Sequence, residues 1–447
     1  MPAVLALFVT SATLALPSSG ATSNSAILRN AVLIGEAPAI PVAIGGEAAA
    51  GPFVGSALSY YQGLSATNRN SFSSFAPSTS SSARRDLLSG KVDVAISSTP
   101  LNAIGRDVPD GQLSQYLQIP VAATAVAVSY NISFPSSVTI STTVGGQQLS
   151  ATSSDNCQAL LSKHPLVLTP TTVAAIFSGQ ISQWSASVLQ SSNPQLNTHA
   201  QVPVAASYTA HGVSHAQKNK LQVVNCLRFA SSPTITLFGP ASGAGVNAIF
   251  TDYLSQVDAA DFPAPTEAPP AVVGTPLEDS GSLAAAISST NGALGYLPWA
   301  NAQSAGLPTA RFQVVTKGIG TSQPLTSVTV RRDVATAALT IVGKGGFSVL
   351  QGAARFDVTN AGAGYPLVGL DFAITPRSPS TGLVGTALAK YLAWLSQTAP
   401  SGVGSSFGQS FATSATATPL PVAFRHYDFS QLLTLAVNGA TSLNPTK

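Results

Sequence analysis

The histidines of this chain are few, and their spacing does not form a recognisable catalytic or metal site. There are five in 447 residues, and only the segment HGVSH places two of them, His211 and His215, four positions apart. That spacing suits zinc on a helix, but Gly212 follows the first histidine and the glutamate of the metalloprotease motif is missing. We therefore interpret the pair as part of an exposed loop and expect no metal site.

Nucleophile motifs are also missing. No serine lies in a G-x-S-x-G turn, and the glycine-rich segment GPASGAG, residues 239–245, lacks the lysine of a nucleotide-binding P-loop. We expect no catalytic residue and no cofactor, and therefore no enzyme. A secreted phosphatase-like hydrolase remains an alternative, and it would need a nucleophile–base pair or a metal.

Three polar turns offer a different chemistry, the binding of an anion by backbone groups. They read AGPF (50–53), STSSSARR (78–85) and PASGAGVN (240–247), and each starts a predicted helix or follows a predicted strand. Glycine and serine at a helix N-terminus leave N–H groups unpaired, with the positive end of the helix dipole behind them. Each turn alone reads as an ordinary helix cap; together they suggest one anion site.

The elements that would position these turns alternate between short apolar strands and amphipathic helices, which favours an α/β fold. IPVAIGG (40–46) is a predicted strand and PFVGSALSYYQG (52–63) a predicted helix. The segment from Ala83 reads as a helix, a turn at Ser89-Gly90 and a strand over 92–96. The nearly continuous apolar run 117–131 is typical of a strand buried on both faces.

Further along, LTPTTVAAIFSGQISQW (168–184) predicts a short helix with Pro170 just before it and Thr171 and Thr172 capping its start. It holds no group capable of acid–base chemistry. GYPLVGLDFAI (364–374) predicts a second buried strand. TALAKYLAWLSQ predicts an amphipathic helix whose apolar face is formed by Leu388, Leu392 and Leu395.

Composition excludes several classes. Hydrophobic residues make up 45% of the chain, which excludes disorder, and charged residues only 8%, against roughly 25% in a typical soluble domain. Such a surface changes its charge little as pH falls, which suits an exported protein in acidic surroundings, although simple drift toward Ala and Ser would also produce it. The net charge of +3 is scattered, so no nucleic-acid partner is expected.

The N-terminus and the cysteines favour export. The apolar run Ala3 to Leu16 has signal-peptide length and is followed by small residues near Gly20-Ala21, although no Lys or Arg precedes it. Cys157 and Cys226 fit one disulfide in an oxidising compartment, with two buried free thiols as the alternative. We expect a periplasmic, cell-surface or extracellular location.

An ordered set of segments resembles the phosphate-binding protein of bacterial ABC phosphate importers (PstS-like) and the related DING proteins. The segments are GKVDVAISSTPL, LQIPVAATAVAVSYN, LTPTTVAAIFSGQISQW, IFTDYL, GALGYLPWANA, GYPLVGLDFAI and ATPLP, between about residues 40 and 435. The resemblance implies a type II periplasmic-binding-protein fold, in which two α/β lobes are joined by two crossover strands with a ligand cleft between them. LTPTTVAAIFSGQISQW would then be a packing element of the second lobe.

Mapped on that family, residues 1–25 are a signal peptide and 26–126 with 366–435 form lobe I. Residues 127–365 form lobe II, which carries surface inserts near 133–164 and 193–232.

The ligand residues implied by the resemblance match unevenly. The first loop falls on Pro52-Phe53, and Phe53 keeps its backbone N–H; the second-loop serine falls on Ser80. The aspartate that accepts the proton of hydrogen phosphate falls on Ser98. The third loop falls on Ser242, Gly243 and Ala244, or in an alternative register on 244–246, and its arginine is missing in both registers.

An arginine–phosphate bond is charge-assisted, so its loss should weaken binding by about one to two powers of ten. Loss of the aspartate should relax the selection for a protonated anion. Arg84 or Arg85 could supply a replacement charge, or could be solvated on the helix surface.

The resemblance implies a monomeric solute-binding protein that captures phosphate or a related oxyanion and delivers it to an ABC permease. A secreted interaction or structural protein with a degenerate site is the alternative.

Overall fold

The computed structural model describes residue 38 and residues 40–395, with gaps at 145–146, 154, 204–208, 211–212, 215–218, 317–318, 344–358 and 363. The predicted signal peptide, residues 396–435 of the predicted lobe I and the pair His211 and His215 lie outside the described residues.

The elements alternate along the chain as an α/β protein requires. The helices are α1 Gly51–Gly63, α2 Ala66–Ser71, α3 Ser80–Leu88, α4 Cys157–Lys163, α5 Pro170–Phe177, α6 Ser187–Ser192, α7 Gly245–Val257, α8 Ser280–Ser289, α9 Trp299–Ser304, α10 Ser327–Gly343 and α11 Gly382–Leu395. The strands are β1 Ile44–Glu47, β2 Ala76–Ser78, β3 Val94–Ser97, β4 Tyr116–Asn131, β5 Thr139–Val144, β6 Gln147–Thr152, β7 Val167–Leu168, β8 Asn197–Pro203, β9 Thr209–Ala210, β10 Val213–Ser214, β11 Asn219–Asn225, β12 Thr236–Phe238, β13 Ala293–Pro298, β14 Arg311–Thr316, β15 Ile319–Gln323 and β16 Val368–Pro376.

The main sheet has seven strands in the order β12-β13-β4-β16-β3-β1-β2. At its centre β4 and β16 run antiparallel, from the pair Val368 and Ala125 to the pair Pro376 and Tyr116. On one side β1 lies parallel to β2 and β3; on the other β12 lies parallel to β13. The predicted α/β architecture and the predicted long buried strand β4 are thus confirmed.

The core lies on both sides of this central strand pair. One cluster packs α1 and α11 against β1 and β3, and it includes the predicted stripe Leu388, Leu392 and Leu395. In another cluster, α5 packs on α7 through the rings of Phe177 and Phe250, whose centroids lie 4.7 Å apart. The packing role predicted for 168–184 follows from these contacts.

Two local predictions are wrong. Helix α5 is capped by Thr169, whose hydroxyl accepts the N–H of Thr172 at 3.1 Å, and not by Thr171 or Thr172. Pro170 lies inside the first turn because proline lacks an N–H and is tolerated there. Strands β1 and β3 begin later than predicted, at Ile44 and Val94.

The first insert packs more deeply than a surface excursion. Val138, Ile140, Cys157 and Leu161 are all buried in the main core. Cys157 and Cys226 form a disulfide with Cα atoms 5.5 Å apart, and it ties α4 to the end of the β8–β11 ribbon. Within the described residues, each helix is too short or too polar to cross a membrane.

Candidate functional site

Glu47, the last residue of β1, places a carboxylate between the N-termini of two helices. Its side chain is only 4% exposed. The Oε2 atom accepts the N–H of Ser80 at 2.7 Å and the N–H of Gly245 at 3.0 Å. Ser80 and Gly245 are the first residues of α3 and α7, so one carboxylate oxygen receives N–H groups from both helices.

The two helices differ in how their first turns are satisfied. Thr79 caps α3 by accepting the N–H of Ser82 at 3.2 Å. The cap position of α7 is Ala244, which has no side-chain acceptor. Glu47 therefore acts as the missing cap of α7: its carboxylate accepts an N–H of the first turn, although it lies nearly 200 positions away in the chain.

Two glycines allow the helices to approach this closely. A Cβ on Gly245 would lie 2.5 Å from the Oγ of Ser80 and 2.6 Å from the Cβ of Ser98, and a Cβ on Gly243 would lie 2.4 Å from the Oγ of Ser81. Gly243 also has a φ of +93°, a conformation that favours glycine. The carbonyl of Gly243 accepts the N–H of Ser81 at 3.1 Å, so the loop before α7 lies directly on the start of α3.

A chain of hydroxyls leads from this point to a second buried carboxylate. The Oγ of Ser80 accepts the N–H of Ser98 at 3.0 Å, and the Oγ of Ser98 donates to Oδ1 of Asp371 at 2.6 Å. The hydroxyl of Thr124 donates to the other oxygen of Asp371. The residue matched to the family's aspartate is thus a serine that is itself bonded to an aspartate from β16.

Burial perturbs both acids. It raises the pKa of Glu47 to about 6, against the lowering effect of its hydrogen bonds to Gly245 and Ser80, and the nearby Asp371 charge raises it further. Burial likewise raises the pKa of Asp371, while Ser98 and Thr124 lower it. Two carboxylates in one buried network therefore hold their protons more tightly than exposed ones.

Arg84, one turn further along α3 from Ser80, is buried and fully engaged by acids. It forms a two-pronged bond to Glu267, with Nη1–Oε1 at 2.7 Å and Nη2–Oε2 at 3.0 Å, and its Nε contacts Asp107 at 3.1 Å. Its Nη1 also donates to the Oγ of Ser97 at 3.2 Å. The positive charge lies beside the serines of the site but is already neutralised by two carboxylates.

A small, mostly apolar cavity of about 60 Å³ adjoins the network at Ser98. Its walls come from the loop after β3, from α7 and from β16. Thr99 is part of the wall, and its hydroxyl is buried without a hydrogen-bond partner among the described residues. Such an orphan buried hydroxyl is uncommon and needs a partner to offset its desolvation.

The structure brings some of the predicted site residues together and leaves others apart. Ser80, Ser98 and Gly243 lie within the network around Glu47. Ala244 is buried at the cap position of α7, and Ser242 is exposed. Phe53 lies in α1 with its side chain in the core beside β1.

Four acids of this region were not predicted from the sequence: Glu47, Asp371, Glu267 and Asp107. Glu47 and Asp371 each carried a signal, because each is a lone acid directly after or inside an apolar strand in a chain with only 17 acidic residues. A carboxylate at such a position must find buried donors. Glu267 lies in the proline-rich connection, where nothing in the sequence indicates that it meets Arg84.

Two kinds of group that enzymes commonly use are metal-ligand clusters and histidine–carboxylate pairs. Among the described residues no cluster of three or more His, Cys, Asp or Glu could hold a metal ion. A histidine–carboxylate pair, His199 Nδ1 with Asp155 Oδ2 at 3.1 Å, involves the β8 strand of the second insert and is partly exposed. It is separate from the network around Glu47.

Comparison with solved structures gives extensive matches at low identity. A phosphate-binding protein from Stenotrophomonas maltophilia aligns with a TM-score of 0.52 and 17% identity, over 88% of this chain and 94% of its own. A high-affinity periplasmic phosphate-binding protein, PfluDING, solved with phosphate, gives 0.52 and 15% over 87% and 92%. A human phosphate-binding apolipoprotein gives 0.51 and 15% over 86% and 93%.

These similarities confirm the predicted type II periplasmic-binding-protein fold. No curated protein compared with the chain matches it in sequence. Residues 34–397 match the family model PBP-like 2, described as the PBP superfamily domain. Since the match covers most of the chain, this protein belongs to the PBP superfamily.

Proposed function

We propose that the protein is an exported solute-binding protein that captures inorganic phosphate, or a related oxyanion, between its two predicted lobes. The observation that supports this most is the convergence of the Ser80 and Gly245 N–H groups on one oxygen of Glu47. Two helix N-termini aimed at one negatively charged oxygen are an arrangement that suits an oxyanion. In the predicted division, Ser80 belongs to lobe I and Gly245 to lobe II, so a bound anion would contact both.

The similar folds support the same proposal. The similar structures include phosphate-binding proteins from a bacterium and from human, and one of them holds phosphate. We propose delivery to an ABC permease and a monomeric state on the same basis. We propose no catalytic activity, because the similar structures are named as phosphate-binding proteins.

The binding should be weaker than in a site with a free arginine. Arg84 is beside the site, but Glu267 and Asp107 already take its donors. A charge-assisted bond contributes roughly 1.5–3 kcal/mol, so a site without one binds about one to two powers of ten more weakly.

Titration calorimetry of phosphate into the full chain at pH 4 and pH 7, with sulfate and arsenate as comparisons, tests the proposal. We expect saturable one-to-one binding of phosphate at pH 4 at least. Absence of binding by all three anions at both pH values would contradict it.

The same carboxylate favours a second candidate, a secreted structural or interaction protein. Glu47 already satisfies the N–H groups of Ser80 and Gly245, so the fold is complete without a ligand. This candidate predicts that no oxyanion binds even after Glu47 is removed.

A further inference from the structure

The position between α3 and α7 is occupied by a charged group of the chain itself. The Glu47 carboxylate is buried, and its Oε2 accepts both N–H groups. Since a phosphate oxygen would need those same two donors, Glu47 and an oxyanion cannot both hold them.

We propose that Glu47 is a built-in competitor at this site, whose carboxylate must leave the N–H groups of Ser80 and Gly245 before an oxyanion binds. This inference rests on the proposed function and adds to it the residue that decides when the site is available. It differs from a simple capping role, which predicts that removing Glu47 destabilises the fold without creating an anion site.

A second observation points to a ligand in the cavity that Ser98 borders. The cavity at Ser98 includes Thr99, whose buried hydroxyl has no partner among the described residues. That hydroxyl can donate to an anion, which would give it the hydrogen bond it lacks. Ser98 borders this cavity and donates its N–H to Ser80, whose own N–H is held by Glu47.

The charges around the site oppose an anion as long as Glu47 is ionised. Charged groups on the packed elements are Asp371 on β16, Asp252 on α7, and Arg84 on α3 with its partners Asp107 and Glu267. Arg84 is neutralised, so the remaining field is negative. Protonation of Glu47 removes one of these charges and weakens its hold on the N–H groups.

Burial favours that protonation by raising the pKa of Glu47 to about 6. The ionised, competing form therefore dominates above pH 6 and the neutral form below it. If an oxyanion binds only when Glu47 is neutral, the apparent affinity of the wild type for it is proportional to the neutral fraction of Glu47. That fraction is about 100-fold lower at pH 8 than at pH 5.

The test is calorimetry of inorganic phosphate into the wild type and Glu47→Ala, at pH 5 and pH 8. Comparing two proteins with the same ligand cancels the ionisation of phosphate itself. At pH 8 we expect Glu47→Ala to bind about 100-fold more tightly than the wild type, and at pH 5 the ratio to fall to within about threefold. Glu278→Ala, which removes a carboxylate from an exposed position, should match the wild type.

The possible results distinguish the role inferred for Glu47 from the proposed oxyanion-binding function. Equal binding by wild type and Glu47→Ala at both pH values would overturn the inference and leave the proposed function standing. No binding by either protein at either pH would contradict the proposed function itself. If Glu47→Ala does not fold, Glu47→Gln takes its place.

If neither variant folds, the thermal shift of the wild type in phosphate and in sulfate decides. Both anions should then stabilise the protein at pH 5 and not at pH 8, and equal shifts at the two pH values would overturn the inference.

Discussion

At the scale of single residues, Glu47 and Asp371 give the buried network its dependence on pH. Both acids are buried, and their pKa values are raised. A group whose pKa is higher in the folded than in the unfolded state binds its proton more tightly when folded, so protonation stabilises the fold. The contribution of Glu47 is fully present below its ordinary pKa of 4.5 and is lost as pH rises through about 6.

Glu47→Gln should remove this dependence. Between pH 4.5 and pH 6.5 the wild type should lose about 1.5 kcal/mol of unfolding free energy relative to Glu47→Gln. This is most of the roughly 2 kcal/mol that a pKa shift from 4.5 to about 6 is worth, since one pKa unit corresponds to about 1.4 kcal/mol. Denaturant unfolding at a series of pH values measures this difference. Asp371 titrates in both proteins, so only its coulombic coupling to Glu47 stays in the difference.

The matched control is Glu278→Gln at an exposed position, which should follow the wild-type curve. If the wild type instead gained stability over Glu47→Gln as pH rose through this window, the ionised carboxylate would be the preferred form. The account of Glu47 would then be wrong.

At this scale the serines of the site could be predicted from the sequence, but its buried acids could not. Ser80 and Ser98 were found because a family resemblance carried them over. Glu47 and Asp371 were not, because the resemblance assigns no ligand residue to either position and the partners of a buried acid come from remote segments. Ser98 and Asp371 are 273 positions apart, and Glu47 and Gly245 are 198 apart.

At the scale of elements, Arg84 joins α3 to the proline-rich connection that follows α7. The guanidinium is 2% exposed, and its partners Glu267 and Asp107 are 12% and 15% exposed. Glu267 also contacts the loop before α7 through its backbone, since its carbonyl accepts the N–H of Gly243 at 2.8 Å. The ion pair and this backbone contact together hold the loop before α7 against the start of α3.

Arg84→Met should be strongly destabilising, because it leaves two poorly solvated carboxylates without a counter-charge. We expect the unfolding free energy to fall by about 3–5 kcal/mol in denaturant unfolding. The neighbouring exposed Arg85, changed to Met, should stay within about 0.5 kcal/mol of the wild type.

Adding Glu267→Gln to Arg84→Met should recover part of the loss, because it removes one of the unpaired charges. Equal losses for Arg84→Met and Arg85→Met would contradict the assignment.

Most elements were predictable because hydrophobic periodicity is a local property. The α1 and α11 helices and the β4 and β16 strands all follow the predicted apolar patterns. The cap of α5 was misplaced by two to three residues, because three threonines surround Pro170 and only the preference of proline for the first turn favours Thr169.

At the scale of the whole molecule, both the low charge content and the buried acids lead us to expect that the protein tolerates acidic surroundings. A chain with 8% charged residues gains little repulsion as pH falls, and its two buried acids favour the protonated state. Both features suit function in acidic surroundings. The disulfide between Cys157 and Cys226 supports the proposed export.

The fold could be predicted because several segments resemble those of a known family and occur in the same order along the chain. The candidate site could not be predicted, because it depends on which side chain reaches the N-termini of α3 and α7. The lobe boundaries at 126–127 and 365–366 stay predictions.

The central claim is that Glu47 takes the place of an oxyanion between α3 and α7. A crystal structure of Glu47→Ala grown in phosphate tests it most directly. The account predicts a phosphate oxygen at hydrogen-bond distance, about 2.7–3.0 Å, from the N–H groups of both Ser80 and Gly245. Water at that position, or a collapse of α3 and α7 onto another protein oxygen, with no phosphate between them, would contradict it.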